Sequence, residues 1–359
     1  MQSAGLRNLA AGLLLSPLAL TWGCHATPSA QPEGTPVAIQ APLGLPPVPF
    51  PRENHPTANS IALGRRLFYD TRLSKDNSLS CASCHHPELG FKDARERSTG
   101  VAGARGRRHA PTLVNAVYSS FLFWDGRARS LEAQADGPIT DPLEMRQTHE
   151  ALTANLQSDS RYEALFNSAF GTDDVTMERI ATAIAAFERM MLSGNSAFDR
   201  YKYQGRKNAL SAAQIRGLAI FTDPQKGNCS ACHTIGPDYA LFTDGDFHNT
   251  GEGVGPDGEF TDQGRFEVTK HDSDKGAFKT PTLRNVAVGG PYMHDGKLKT
   301  LKDVVDFYAG GGNSNPYLDK RISAIQLSGR DRADLVEFMK SLTGEMPSNL
   351  GPPEEDGYK

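Results

Sequence analysis

Two copies of one five-residue pattern constrain this chain more than any other feature. Cys81-Ala82-Ser83-Cys84-His85 and Cys229-Ser230-Ala231-Cys232-His233 together hold four of its five cysteines. In such a pattern the two thiols add to the vinyl groups of a haem, and the adjacent imidazole ligates its iron. Zinc would use the same thiols, but two tetrahedral thiolate pairs have no need of a histidine at the same following position twice. A redox dithiol is the other alternative; the repeated histidine and an export-like N-terminus favour haem. Two covalently bound c-type haems are therefore expected, held by Cys81, Cys84, Cys229 and Cys232, with His85 and His233 as proximal iron ligands.

The motif histidines lie 148 residues apart in a chain of 359, enough polypeptide for one domain per haem. With 38% hydrophobic and 22% charged residues, the composition is that of a soluble globular protein. A formal charge of −4 argues against a nucleic-acid partner. Arg7 followed by the apolar run from Leu9 to Leu20 reads as a signal peptide over residues 1–26. The run falls short of the roughly 20 residues that a spanning helix needs. Cys24 has two fates: acylation as a lipoprotein cysteine, which would be the chain's one membrane contact, or removal by cleavage after Ala26. Either leaves the protein in the periplasm. Residues 27–56 are Pro-studded without apolar periodicity and read as a tether.

A second repeat accompanies the first. Pro111-Thr112-Leu113-Val114-Asn115 recurs 170 residues on as Pro281-Thr282-Leu283-Arg284-Asn285, and at the same offset Asp125-Gly126 recurs as Asp295-Gly296. Gly64-Arg65-Arg66-Leu67-Phe68 and Gly217-Leu218-Ala219-Ile220-Phe221 precede the two haem motifs. The expected fold is mainly α, two cytochrome c-like haem domains related by duplication and joined by long loops. Apolar residues at helical spacing predict helices over Ser60–Tyr69, Met177–Leu192, Ala212–Phe221, Leu301–Tyr308 and Gly329–Leu342, with Ser211 and Thr300 as N-caps. The Gly/Asp-rich stretch Asp244–Gly276 reads as one long loop, with neither a dinucleotide nor a calcium-loop pattern.

These motifs, with Gly90-Phe91, Phe123-Trp124-Asp125-Gly126-Arg127, Phe198-Asp199-Arg200-Tyr201 and Pro291-Tyr292-Met293-His294-Asp295-Gly296, resemble the diheme cytochrome c peroxidase and MauG superfamily over residues 55–345. The resemblance implies an N-terminal domain (57–205) with a peroxide-reactive haem, a C-terminal domain (206–345) with the second haem, and a tail (346–359). Typical diheme peroxidases cap the first iron with a histidine from the loop after the first motif. Here Ser98-Thr99-Gly100-Val101-Ala102-Gly103 has none, and Val101 stands at that place. Those peroxidases close the second iron with a Met about fourteen residues after the histidine equivalent to His294. In this chain that count reaches Tyr308, where MauG-like enzymes place a tyrosine; Met293 is the rival ligand.

By the same resemblance Glu144 shuttles a proton during O–O cleavage, Gln134 orients peroxide, Pro138 shapes the pocket and Trp124 lies between the haems. The family's calcium site uses an Asn where His109 stands, plus carbonyls at positions matching Gly289 and Pro291. One departure is that Gly227-Asn228 precede Cys229, where MauG has a surface Trp. The implied activity is MauG-like: hydrogen peroxide generates a high-valent diheme state that oxidises a partner, a protein side chain. The alternative is a peroxidase drawing electrons from a small cytochrome. A pure electron-transfer protein would need both irons closed.

Overall fold

The computed structural model describes residues 1–2, 30–255 and 257–354; the expected signal peptide beyond its first two residues, with Cys24, lies outside the described residues. Two helix pairs organise it. In the first half, α1 (Ala58–Tyr69) starts at a reciprocal cap in which Thr57 and Ser60 bond each other's backbone N–H. There follow α2 (Leu131–Thr140), α3 (His149–Gln157), α4 (Ser160–Phe170) and α5 (Met177–Glu188). The second half has α6 (Ala197–Tyr203), α7 (Ala212–Thr222), α8 (Phe266–Thr269), α9 (Leu301–Ala309) and α10 (Gly329–Lys340). The five helices expected from periodicity are all present, and Ser211 and Thr300 cap α7 and α9. Among the described residues no helix is long and apolar enough to cross a membrane.

The duplication is visible in how the helices cross. At the α1–α5 crossing a Cβ on Gly64 would lie 1.8 Å from the Ala183 carbonyl oxygen. At the α7–α10 crossing a Cβ on Gly217 would lie 2.0 Å from that of Asp334. Only glycine permits either approach. Leu63, Leu67, Leu152, Leu156, Tyr162, Phe166 and Ile180 fill the first core. The second is an aromatic cluster, with Phe338 having ring centroids 5.0 Å from Phe221 and 5.8 Å from Phe198.

Two expectations need correction. Asp244–Gly276 is not one loop: it contains β1 (Phe247–Asn249) and α8, and β1 pairs antiparallel with β2 (Ala277–Lys279). The Pro-studded segment is not a free tether either. Leu45 and Val48 are buried against Leu192, Tyr118 and Leu241, so residues 39–50 form a strap over both halves. The strap stays put because its main chain is hydrogen bonded: Asn195 N–H donates to the Leu43 carbonyl (2.8 Å) and Ala240 N–H to that of Gly44 (3.1 Å). The C-terminal tail likewise returns to the first half, where the Tyr69 hydroxyl donates to the Leu350 carbonyl at 2.7 Å.

Arg284 ties the strap and α6 to the rest of the second half. Its fully buried guanidinium forms a bidentate pair with Asp199 of α6 (2.9 Å for both bonds) and donates to the carbonyls of Gly44 (2.6 Å) and Ala240 (2.7 Å). Removing one partner of such a pair strands a buried charge. Arg284→Ala is therefore expected to lower unfolding stability by about 3–5 kcal/mol, measured by urea denaturation; a change within 0.5 kcal/mol, roughly that of a surface substitution, would contradict this account.

Candidate functional site

Both motif histidines are held by the same local device. Nδ1 of His85 lies 2.9 Å from the Phe91 carbonyl and Nδ1 of His233 lies 2.8 Å from that of Phe242. A donated Nδ1–H leaves Nε2 as the free lone pair that an iron requires. Burial lowers the pKa of both imidazoles, which keeps them neutral. Phe91 and Phe242 are buried at φ +57° and +53°, a costly conformation for an aromatic residue. The repeated Pro-Thr motif supports that geometry: Thr112 donates to the Gly90 carbonyl (2.6 Å) and Thr282 to that of Leu241 (2.7 Å).

Beside His85 lies a cavity of about 830 Å³ lined by Cys81, Cys84, Trp124, Gln134, Pro138 and Glu144. Every distal residue expected for the first haem therefore faces one space. Gln134 and Pro138 share a face of α2, one turn apart. The chain then turns so that Met145 N–H reaches the Pro138 carbonyl (3.1 Å) and Gln147 N–H that of Ile139 (2.8 Å), carrying Glu144 inward. The histidine-free loop packs on this turn. Val101 N–H donates to the Glu144 carbonyl at 2.9 Å, and a Cβ on Gly100 would sit 2.1 Å from the Leu143 oxygen. Burial, with Asp141 adding to it, pushes the Glu144 carboxyl up to about 7 despite Arg127. A group near neutrality can take and return a proton.

The same cavity wall includes residues of the second half, Asp244, Lys279 and Pro281 among them. They are brought there by two main-chain bonds at duplicated positions. His109 N–H donates to the His294 carbonyl (2.7 Å) and Lys279 N–H to the Trp124 carbonyl (2.9 Å). The Trp124 indole donates to the His109 carbonyl at 2.8 Å, and its ring centroid lies 6.5 Å from that of His294. His294 is stacked on Phe278 (3.6 Å) and is kept neutral by burial.

At the second motif Tyr308 projects from α9 towards Cys229, Cys232 and Glu252, and burial raises its phenol pKa above the usual range. Met293 occupies a tight turn at φ +69°, matching Phe123 at +63° in the first half. The residues fit two covalent haems: each motif offers two thiols and an oriented, neutral imidazole. They do not fit calcium. His109 offers nitrogen rather than oxygen, its Nδ1 already faces the Arg95 carbonyl (3.0 Å), and the buried Lys92 ammonium lies near enough to lower its pKa further. A hard cation with oxygen ligands is disfavoured there.

Two ionisable side chains at the site have no role expected from the sequence. Lys279 faces the cavity with a side chain that has no hydrogen bond or ion pair among the described residues, and burial lowers its pKa to about 8. Glu188 is buried on the cavity wall. Its one sequence signal is a carboxyl in register with Ile180 and Ile184 on the apolar face of α5.

The family model for di-haem cytochrome c peroxidases matches residues 58–208. MauG from Methylorubrum extorquens is 39% identical over 299 residues, which covers 83% of this chain and 82% of that protein. Cytochrome c551 peroxidase from Pseudomonas aeruginosa is 36% identical over 354 residues, covering 97% and 94%. Among solved structures, a MauG-like protein associated with microbial copper homeostasis superposes with a TM-score of 0.77 at 32% identity, covering 86% of this chain and 97% of that one. With its doubled haem motif, duplicated helix crossings and shared cavity, this chain belongs to the di-haem cytochrome c peroxidase and MauG family.

Proposed function

We propose that this peroxide-dependent haem oxidoreductase works in the MauG manner: in the periplasm it uses hydrogen peroxide to oxidise a partner protein side chain. One observation carries the reading. The loop that would cap the first iron holds Val101, whose main chain is bonded to the turn presenting Glu144. The cavity is thus built around an acid–base group, with no imidazole in the capping loop. A division into one haem domain at 57–205 and one at 206–345 is supported by the duplicated crossings and histidine devices, although Phe198 and Tyr203 of α6 pack in the second core.

Bound haems supply the iron at which peroxide reacts and the store for a second oxidising equivalent. Glu144 as carboxylate takes the proton from the near peroxide oxygen and returns it to the far one, which departs as water. Gln134 donates a hydrogen bond that holds peroxide within reach of that carboxylate. Pro138 lends the pocket a side chain without a polar group, limiting competing water. Trp124, fixed by its indole bond to His109 and its carbonyl bond to Lys279, occupies the path between the two halves. Tyr308 would hold the iron of the second haem, and an oxygen ligand of that kind would favour the oxidised metal.

The second reading is a peroxidase fed by a small cytochrome. The absence of a Trp at Gly227-Asn228 and the long match to a cytochrome c551 peroxidase favour it. A lipid anchor on Cys24 or cleavage after Ala26 accompanies either reading equally well.

Two measurements test the residue roles. Glu144→Gln retains size but cannot accept a proton, so stopped-flow reaction with peroxide is expected to slow by about 10²–10⁴-fold with haem loading intact. In the parent that rate is expected to fall as pH drops below about 7, because protonation removes the base; the variant loses this limb. A parent-like rate in the variant would make Glu144 a bystander. Tyr308→Phe is expected to change the low-spin resonance of the second haem. An unchanged spectrum, with Met293→Ala destroying it instead, would assign the ligand to Met293.

A further inference from the structure

Glu144 moves a proton only between the two oxygens of peroxide. Complete reduction, H₂O₂ + 2e⁻ + 2H⁺ → 2H₂O, consumes two further protons that must come from solvent. The mechanism above provides no route for them.

Behind the cavity wall lies a chain of buried polar groups that nothing above employs. Glu188, at the end of α5, is 4% exposed and lines the cavity, and its Oε2 has no hydrogen-bond partner. The next residue, Arg189, is 3% exposed; Nη2 donates to Glu132 Oε1 at 2.7 Å, while Nε and Nη1 are unpartnered. Glu132 Oε1 also accepts from Asn54 Nδ2 at 2.6 Å, and Asn54 Oδ1 is unpartnered although the residue is buried. The Glu132 side chain is 23% exposed, so the chain ends at solvent. Four unpartnered atoms, two acceptors and two donors, thus occur in three neighbouring side chains. Buried polar atoms seldom remain unbonded, and internal water satisfies them where space and several polar partners coincide.

We propose that Asn54, Glu132, Arg189 and Glu188 hold a short file of internal water that admits solvent protons to the first-haem cavity, with Glu188 as the last protonatable group. The proposal rests on the peroxide-reducing reading. The groups facing Glu188 are Arg189 on its own helix, Glu132 on α2 and the Cys81 thiol of the first motif. Burial, with Glu132 adding to it, pushes the Glu188 carboxyl up to about 8 against the pull of Arg189. It is therefore protonated at neutral pH and can give up a proton and be refilled. Arg189 stays charged; its part is to hold water and orient Glu132.

The holoprotein tests this in two ways. A crystal structure is expected to show ordered water bridging Glu188 Oε2, Arg189 and Asn54 Oδ1, and infrared spectroscopy a protonated-carboxyl band that Glu188→Gln removes. Peroxide turnover with an artificial electron donor is expected to fall about 10²-fold in Glu188→Gln, at the low end for loss of a positioned proton carrier. Its solvent isotope effect should rise, and Glu188→Asp should restore most of the rate. Glu132→Gln, at the exposed end, is expected to act in the same direction and serves if Glu188→Gln fails to load haem. Dry density between these atoms, or parent-like turnover and isotope effect in both Gln variants, would overturn the relay. If the parent consumes no peroxide, the functional reading fails, while the water and the infrared band still decide the relay.

Discussion

The site depends on two main-chain hydrogen bonds, His109 to His294 and Lys279 to Trp124, that join the halves at duplicated positions. Each bond contributes only about 1 kcal/mol net. Their importance is geometric, since together they fix one half against the other at two points. Trp124 and His294, which correspond under the 170-residue repeat, are thereby brought ring to ring. Lys279 and Pro281 of the second half become part of the first cavity's wall. The first site is therefore incomplete without the second half. Arg108 reinforces the joint through its pairs with Asp125 and Asp262.

What the two halves share is structural, and where they differ the chemistry resides. Both use a glycine at the helix crossing, a left-handed phenylalanine whose carbonyl orients the imidazole, and a threonine bracing that turn. Only the first has the α2 turn that carries Gln134, Pro138 and Glu144 into a cavity. The second instead presents Tyr308, from α9, to both cysteines of its motif. Burial sets the charge states between them: His109 is lowered to about 4 and so is neutral, whereas Glu144 is held near 7. A carboxyl held there by burial and by the opposed pulls of Asp141 and Arg127 is suited to taking and returning a proton.

Much of this was legible in the sequence because the haem motifs and the Pro-Thr repeat are short, local and doubled. Helices α1, α5, α7, α9 and α10 show clear apolar spacing. Helix α2 does not, because Gly137 and Pro138 interrupt it; the first turn and Ser130 cap sustain it nonetheless. The strap was hidden because extended Pro-rich backbone has no period: its order comes from distant partners such as Arg284 and Asn195. Glu144, Gln134 and Pro138 were found through family resemblance rather than spacing, and the fold brings them to one cavity. The buried settings of Lys279, Lys92 and the Glu188 network escaped because a buried charge is recognised by its surroundings, which only the packed structure provides.

The central claim is that the first iron is open and the second closed in the resting protein. Electron paramagnetic resonance of the oxidised holoprotein as isolated tests it most directly. The account predicts one high-spin and one low-spin ferric haem, with the high-spin signal alone lost on adding a small exogenous ligand. Two low-spin signals, with peroxide reactivity appearing only after one-electron reduction, would contradict it and make the protein a gated peroxidase.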